Sequence, residues 1–139
     1  MEVQVNIWGV LAGTLVAMLV GSIWYAPQVF GNTWKKLVKL DEKKMKSEAG
    51  KAYIGMLILS LISSYVIAHV AYLSSTFYNV SLTQAGITTG LWLWVGIALP
   101  VIAGNGMFEQ RPKNLILLNV GNQLVTMVLV GFTIGAIGV

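Results

Sequence analysis

Few side chains in this sequence could take part in chemistry, and those within its apolar stretches are mostly neutral amides. Residues 3–30, 52–108 and 114–139 contain no Asp, Glu, Lys or Arg. In the last stretch four polar residues recur at helical spacing on neighbouring faces: Asn119, Asn122, Gln123 and Thr126. Their oxygens could line a pathway for a cation or a polar solute, or the amides could hydrogen-bond between helices and fix their register.

Three further residues extend this polar set. Asn105 is expected at the same depth in the membrane as the polar residues of the last stretch. Asn32 and Glu109 are expected at the inner interface. Together, these residues could form a polar vestibule. His69 is the only histidine and is expected toward the outer end of another span. A lone histidine favours a hydrogen-bonded role over a metal site, unless an oligomer gathers several copies around an axis.

The composition argues against an enzyme. Cysteine is absent, and no nucleophile, phosphate-loop or paired-carboxylate motif occurs in the sequence. Without a carboxylate in the apolar stretches, a carboxylate-driven pump is also disfavoured. We therefore predict no catalytic residue, no bound metal and no cofactor.

Membrane-spanning helices are the elements that must position these residues. Of the 139 residues, 56% are hydrophobic and 10% are charged, as is typical of an integral membrane protein. Since a span needs about 20 apolar residues, the middle stretch holds two spans and the others hold one each. We predict an all-α, single-domain polytopic protein with four transmembrane helices, at about residues 3–27, 52–75, 84–106 and 115–138. The first is expected to be a span rather than a signal peptide, because no cationic segment precedes it.

The cations predict the orientation. Seven lysines lie between the first two spans, Arg111 and Lys113 lie between the last two, and residues 76–83 carry no cation. The positive-inside rule then places both charged connections in the cytoplasm and both termini outside the inner (plasma) membrane.

The first connection, about residues 31–50, is predicted to contain a short amphipathic helix on the inner leaflet, because apolar residues alternate with lysines. Asp41 with Glu42 is expected to cap a further helical turn. The lysines expected to contact anionic lipids are Lys35, Lys36, Lys39, Lys43, Lys44 and Lys46. They serve either as a topology anchor or as a specific lipid or partner site, and no nucleic acid is expected.

Small residues at four-residue spacing favour close packing between helices. They are Gly9, Gly13, Ala17 and Gly21 in the first span, Ser60, Ser64 and Ala68 in the second, Gly86 and Gly90 in the third, and Gly131 and Gly135 in the fourth. Packing within one protomer accounts for most of them, but four helices cannot turn every such face inward, so a homo-oligomer is predicted. Pro100 predicts a kink near Gly96, which either serves packing or lines a cavity, and Trp94 is expected to fill gaps between helices.

Two motifs give the sequence a family resemblance. The first is Trp24-Tyr25-Ala26-Pro27 with Phe30-Gly31 and Trp34, and the second is Phe108-Glu109-Gln110-Arg111-Pro112-Lys113 leading into Asn119-Val120-Gly121. Over essentially the whole chain the sequence resembles the bacterial and archaeal membrane family called domain of unknown function 1761. The resemblance implies a four-span membrane protein and no particular activity. Members often have an aromatic residue or histidine directly after the Asn-x-Gly, where this chain has Asn122 and Gln123.

Both motifs are expected to meet at a cytoplasmic mouth, formed by Trp24, Tyr25, Pro27, Glu109 and Arg111, close to the fourth-span amides. The first helix is expected to end at Pro27 and the chain to turn at Gly31. Glu109 and Arg111 are expected to form an ion pair that caps the last turn. A contact between Trp24 or Tyr25 and Asn119 would support this placement.

These observations favour a small homo-oligomeric channel or facilitative transporter for an ion or small polar solute. The alternative is a non-catalytic membrane subunit or scaffold that binds a partner protein or lipid. A lipid-modifying enzyme ranks third, because the sequence offers hardly any acid, base or metal ligand for it.

Overall fold

The computed structural model describes residues 2–139, and helices account for most of them. The helices are α1 (Ile7–Trp24), α2 (Asn32–Val38), α3 (Glu42–Tyr78), α4 (Leu82–Leu93), α5 (Leu99–Phe108) and α6 (Lys113–Ile137). A π-helical turn, Trp94–Ala98, joins α4 and α5 into one segment. Within the described residues, four segments are long and apolar enough to cross a membrane: α1, α3, α4–α5 and α6. The predicted all-α class and the four apolar helices are confirmed.

The chain runs up and down through these four segments, so its connections alternate between two ends of the bundle. One end, which we call the cationic end, carries α2, the start of α3 and the turn between α5 and α6. All nine cations of the sequence lie in residues 35–51 and 111–113, at this end. The opposite end carries the start of α1, the turn at residues 79–81 and the end of α6.

Helix α6 lies at the centre of the bundle and contacts α1, α2, α3, α4 and α5. Val130 and Ile134 of α6 pack in a buried cluster with Val10 of α1 and with Ile67 and Ala68 of α3. Outward-facing positions of the other helices carry large exposed apolar side chains, such as Leu15, Ile58 and Val101. This distribution suits an apolar surrounding medium.

Glycines bring α4 and α6 into backbone contact. A Cβ atom at Gly86 would overlap the carbonyl group of Gly131, and one at Gly90 would overlap the carbonyl of Met127. Gly135 lies equally close to the backbone of Thr83. Since the hydrophobic effect does not drive helices together in lipid, close approach of this kind is a main source of packing energy there.

The small residues of α1 and α3 also pack inside the protomer, with one exception. Gly9 and Gly13 face Ile134, and Ser60 and Ser64 are buried on α3. At Gly21, by contrast, no neighbouring atom among residues 2–139 lies within 4 Å of the position that a Cβ would take. Because the small faces are used mostly within one chain, they no longer argue for an oligomer, which stays a prediction.

Helix α1 is shorter than the predicted span. The Asn6 side chain accepts a hydrogen bond from the Trp8 amide at 3.0 Å, so the helix begins at Ile7 rather than near residue 3. The helix ends at Trp24, and Ala26 is extended because the residue before a proline disfavours the α conformation. The prediction of a turn at Gly31 is therefore wrong: the chain turns at Ala26, and Gly31 itself is helical.

Helix α3 is longer than the predicted span at residues 52–75. It has 37 residues and so extends about 55 Å, well beyond the roughly 30 Å of a hydrocarbon core. The predicted cap is confirmed, because the Asp41 carboxylate accepts a hydrogen bond from the Lys43 amide at 2.9 Å. Residues 42–50, however, continue into the span and do not belong to the connection, since Lys, Glu, Met and Ala there favour an uninterrupted helix. Only α2 corresponds to the predicted short amphipathic helix.

The third span has the irregularity that Pro100 predicts. Proline lacks the N–H that would bond to the carbonyl of Gly96, and the π-helical turn Trp94–Ala98 lies at this point. The backbone stays helical through this turn, and the regular α-helical pattern resumes in α5 at Leu99.

We expect Gly86→Ala to lower the free energy of unfolding by about 1–3 kcal/mol, because the new methyl group would collide with the backbone of α6. Gly21→Ala is the matched control, since its methyl group meets open space and alanine favours the helix by up to about 1 kcal/mol. Denaturation of the purified protein in mild detergent measures both. Equal stability of the two variants would contradict the α4–α6 contact.

Candidate functional site

The two sequence motifs meet where α1 ends against α6. The Tyr25 hydroxyl donates a hydrogen bond to Asn119 Oδ1 at 2.9 Å. The ring of Trp24 lies 3.3 Å from the position that a Cβ would take at Gly121. The expected contact between the first motif and Asn119 is therefore confirmed.

A third aromatic residue reaches the same part of α6. Trp94 Nε1 donates a hydrogen bond to the carbonyl of Val120 at 3.0 Å. Trp24, Tyr25 and Trp94 thus contact Gly121, Asn119 and Val120, three successive residues of α6. Sequence reasoning took Trp94 only as a filler of gaps. The signal that it missed is that a tryptophan N–H inside an apolar segment needs an acceptor.

Tilted contacts between aromatic rings connect the end of α1 to α2 and to the turn before it. The ring centroids of Tyr25 and Trp34 are 5.3 Å apart, and those of Trp24 and Phe30 are 4.8 Å apart. The π-helical turn Pro27–Gly31 between α1 and α2 requires glycine at its end, because a Cβ at Gly31 would overlap the backbone of Ala26.

Asn32 stabilises this turn instead of lining a vestibule. Its side-chain nitrogen donates a hydrogen bond to the carbonyl of Pro27 at 3.1 Å. Pro27 is exposed at the start of the turn. Both residues therefore shape the connection from α1 to α2.

The turn between α5 and α6 carries the predicted ion pair. Arg111 Nε donates to Glu109 Oε2 at 2.9 Å, and both side chains are about half exposed. The backbone supports the pair, since the Arg111 amide donates to the carbonyl of Gly106 at 2.8 Å and Gln110 adopts a left-handed conformation. The ion-pair prediction is confirmed.

A cavity of about 340 Å³ opens at the cationic end between α2, α5 and α6. Its polar lining consists of Asn105, Glu109, Arg111 and Asn119, so the structure brings together four of the residues singled out from the sequence. Trp34 closes one side. The remaining lining is Val38, Ile102, Gly106, Leu115 and Ile116.

The polar stripe of α6 continues from the cavity into the bundle. Asn122 lies about 4.5 Å further along the helix axis than Asn119 and is 7% exposed. Its amide nitrogen has no hydrogen-bond partner among residues 2–139. Gln123 and Thr126 follow as half-buried residues in the next turn. Of the stripe, only Asn119 is used as a hydrogen-bonding link between helices in the described part of the chain.

His69 is not part of this site. It lies in the second half of α3, where its ring centroid is 6.2 Å from that of Tyr65 on the preceding turn. Because α3 and α6 both start at the cationic end, His69 lies toward the opposite end of the bundle from the cavity. Within residues 2–139, no three His, Asp or Glu side chains are grouped so that they could hold a metal ion.

The fold and the cavity define a class: an all-helical protein of four membrane-length segments with one partly polar cavity between α2, α5 and α6. The model of the family described as "Protein of unknown function (DUF1761)" matches residues 8–135. The chain belongs to this family, as its two motifs predicted. A search of the curated proteins and a search of the solved structures each found no match.

We expect Tyr25→Phe to lower the free energy of unfolding by about 0.5–1.5 kcal/mol, because the bond to Asn119 is lost. In a double-mutant cycle with Asn119→Leu, the two residues are expected to couple by about 0.6 kcal/mol or more. Tyr53→Phe, at an exposed position of α3, is the control and leaves stability unchanged. Additive effects of Tyr25→Phe and Asn119→Leu would show that the bond contributes nothing.

Proposed function

We propose that this protein is a facilitative transporter for a small polar solute in the plasma membrane. The observation that carries the proposal is the cavity at the cationic end, together with the line of amides that leads from it into the bundle. Asn105 and Asn119 line the cavity, and Asn122 lies one turn deeper with an unpaired donor. A solute that leaves the cavity would find its next hydrogen-bonding partner there.

The bundle is closed beyond this point, which favours a transporter over an open channel. The backbone contact of Gly86 with Gly131 and the bond from Trp94 to Val120 join the third span tightly to α6. Passage therefore needs a movement that separates helices on the far side and closes the cavity on the near side. Alternating access of this kind is typical of membrane transporters with interrupted helices.

Helix α5 is the element best suited to that movement. It follows the π-helical turn, contains Pro100, and lines the cavity with Ile102 and Asn105. At Gly96 and Gly104, no neighbouring atom of residues 2–139 lies within 4 Å of a Cβ position, so these positions face away from the other helices, whereas Gly106 packs against the side chain of Ile116 on α6. A change of angle at the π-helical turn would open or close the cavity on the near side, and the far side would open by separation of the α4–α6 contact.

The polar groups along the proposed path are neutral. No Asp, Glu, Lys or Arg occurs in the apolar stretches of the sequence, so the path offers no embedded carboxylate to bind a driving ion. Passive flux down a gradient fits this lining better than active transport. The transporter needs no central axis between subunits, although a homo-oligomer of complete units is compatible with it.

A second candidate is a non-catalytic subunit that holds a partner protein or lipid. It is favoured by the start of α3, where Lys43, Lys44 and Lys46 are exposed on a helix that extends beyond the membrane thickness. Co-purification of a second protein at fixed stoichiometry would support this role, and purification of the chain by itself would support the transporter.

We place the cationic end in the cytoplasm, where the lysines can contact anionic lipids, and both termini outside the plasma membrane. The chain has no cysteine, so single cysteines report position without background labelling. In intact cells we expect a membrane-impermeant maleimide to label Ser81→Cys and to label Lys44→Cys only after permeabilisation. The reverse pattern would overturn the orientation.

For the transport proposal, we expect liposomes containing the protein to swell faster in urea, glycerol or L-alanine than protein-free liposomes. Asn122→Leu is expected to slow this flux about fivefold to tenfold, because the loss of one neutral hydrogen bond along the path raises the barrier by about 1–1.4 kcal/mol. The variant is expected to fold, since leucine has a similar size and the Asn122 nitrogen makes no bond among the described residues. Asn114→Leu, at an exposed position of α6, is the control. No flux for any of the three solutes, or equal flux in both variants, would refute the transporter.

A further inference from the structure

The mouth of the cavity presents both signs of charge side by side. Glu109 and Arg111 are the charged residues in its lining, and they lie within one turn of chain, 2.9 Å apart at their bonded atoms. The net charge of the lining is therefore zero. An ion of one sign would meet an equal charge of its own sign at this mouth, which disfavours both simple cations and simple anions.

The hydrogen-bond donors and acceptors that this ion pair leaves unused suit one class of ligand. A guanidinium group has five N–H donors, and the Glu109 carboxylate engages the one on Arg111 Nε. The others can donate to a carboxylate or phosphate oxygen, and the geometry of the guanidinium favours such groups. The carboxylate of Glu109 can accept from an ammonium group at the same time.

The other walls match the rest of such a molecule. The indole of Trp34 lines the cavity, and an aromatic ring at such a position can attract an ammonium group. The amides of Asn105 and Asn119 offer further hydrogen bonds, and Ile102 and Leu115 provide apolar contact. A cavity of about 340 Å³ accommodates a molecule of a few carbon atoms.

We propose that this cavity binds a zwitterion, a small molecule that carries an ammonium group and a carboxylate or phosphate a few bonds apart. Its anionic group contacts Arg111, and its ammonium group contacts Glu109 and Trp34. This inference names the substrate class of the transporter and in that sense rests on the proposed function. The same chemistry is found in free amino acids and in the ethanolamine headgroup of phospholipids.

The test uses the full chain in a non-ionic detergent and isothermal titration calorimetry. L-Alanine is the zwitterionic probe, and its two matched controls are propionate, which lacks the ammonium group, and ethylamine, which lacks the carboxylate. We expect alanine to bind at least about tenfold more tightly than either control, the effect of one charge-assisted contact. The proposal would be overturned if propionate or ethylamine binds as tightly as alanine and glycerophosphoethanolamine binds no more tightly than ethanolamine or glycerol phosphate.

Two variants test whether Glu109 and Arg111 bind the charged groups of the ligand. Glu109→Gln and Arg111→Gln are each expected to weaken the binding of alanine about tenfold. Their matched controls, Glu48→Gln and Lys113→Gln, change exposed charges outside the cavity and are expected to leave binding unchanged. If a single variant does not fold, the double variant Glu109→Gln with Arg111→Gln replaces the ion pair by two amides. Unchanged preference for alanine in the folded variants would overturn the proposal.

Glycerophosphoethanolamine separates the two sources of the ligand. Tight binding of alanine supports a free zwitterion as the ligand. Tight binding of glycerophosphoethanolamine with weak binding of alanine supports a lipid headgroup. Both outcomes support the zwitterion chemistry if the single-charge controls, ethanolamine and glycerol phosphate, bind weakly. The flux measurement keeps this inference apart from the proposed function. Selective binding without flux refutes the transporter alone, and flux of urea or glycerol without selective binding refutes the zwitterion alone.

Discussion

Close approach to α6 is the constraint on which the rest of this bundle depends. All other helices contact α6, and the third span reaches its backbone because glycine occurs on both sides, at Gly86 and Gly131. In an apolar medium, helices gain nothing from hiding apolar side chains from one another, so contact distance and hydrogen bonding decide which faces meet. The glycines therefore determine which faces of α1 and α4 meet α6, and many large apolar side chains face outward.

The first half of α6 makes a different kind of contact from the glycine-mediated backbone contacts of its second half. At residues 127–135 backbones touch, whereas at residues 119–121 three aromatic rings reach α6 from α1 and from the π-helical turn. The two bonds from Tyr25 and Trp94 fix the rotation of α6, because they specify one side-chain oxygen and one carbonyl. The cavity lies next to this part of α6, along Leu115 and Asn119, and beside α5, the α-helix that follows the π-helical turn.

The two halves of the third span, α4 and α5, are therefore connected to α6 in different ways. The pair α4–α6 is joined by its backbone, and α5 is separated from that pair by a π-helical turn and a proline. In the proposed transporter, the change of angle on the cavity side would therefore take place in one half of the third span. The polar groups that such a change would expose are neutral amides, and the charges stay at the rim, where water can reach Glu109 and Arg111.

From the sequence alone, the all-α class, the number of spans, the Asp41 cap, the Glu109–Arg111 pair and the meeting of the two motifs could be predicted. The first four follow from local rules, since span length, helical spacing and capping depend on residues close together in the chain. The meeting of the two motifs follows from the topology, since both charged connections were predicted on the same side. The tertiary structure decided which polar groups are paired. Asn119 accepts a hydrogen bond from Tyr25, 94 residues away, whereas the side-chain nitrogen of Asn122 on the same stripe has no partner in the described residues. The spacing of the two asparagines in the sequence does not predict this difference. The tertiary structure also decided that most small residues pack against helices of the same chain, whereas Gly21 has no such neighbour in the described residues. The sequence does not show this, because the position of a neighbouring helix depends on contacts between residues far apart in the chain.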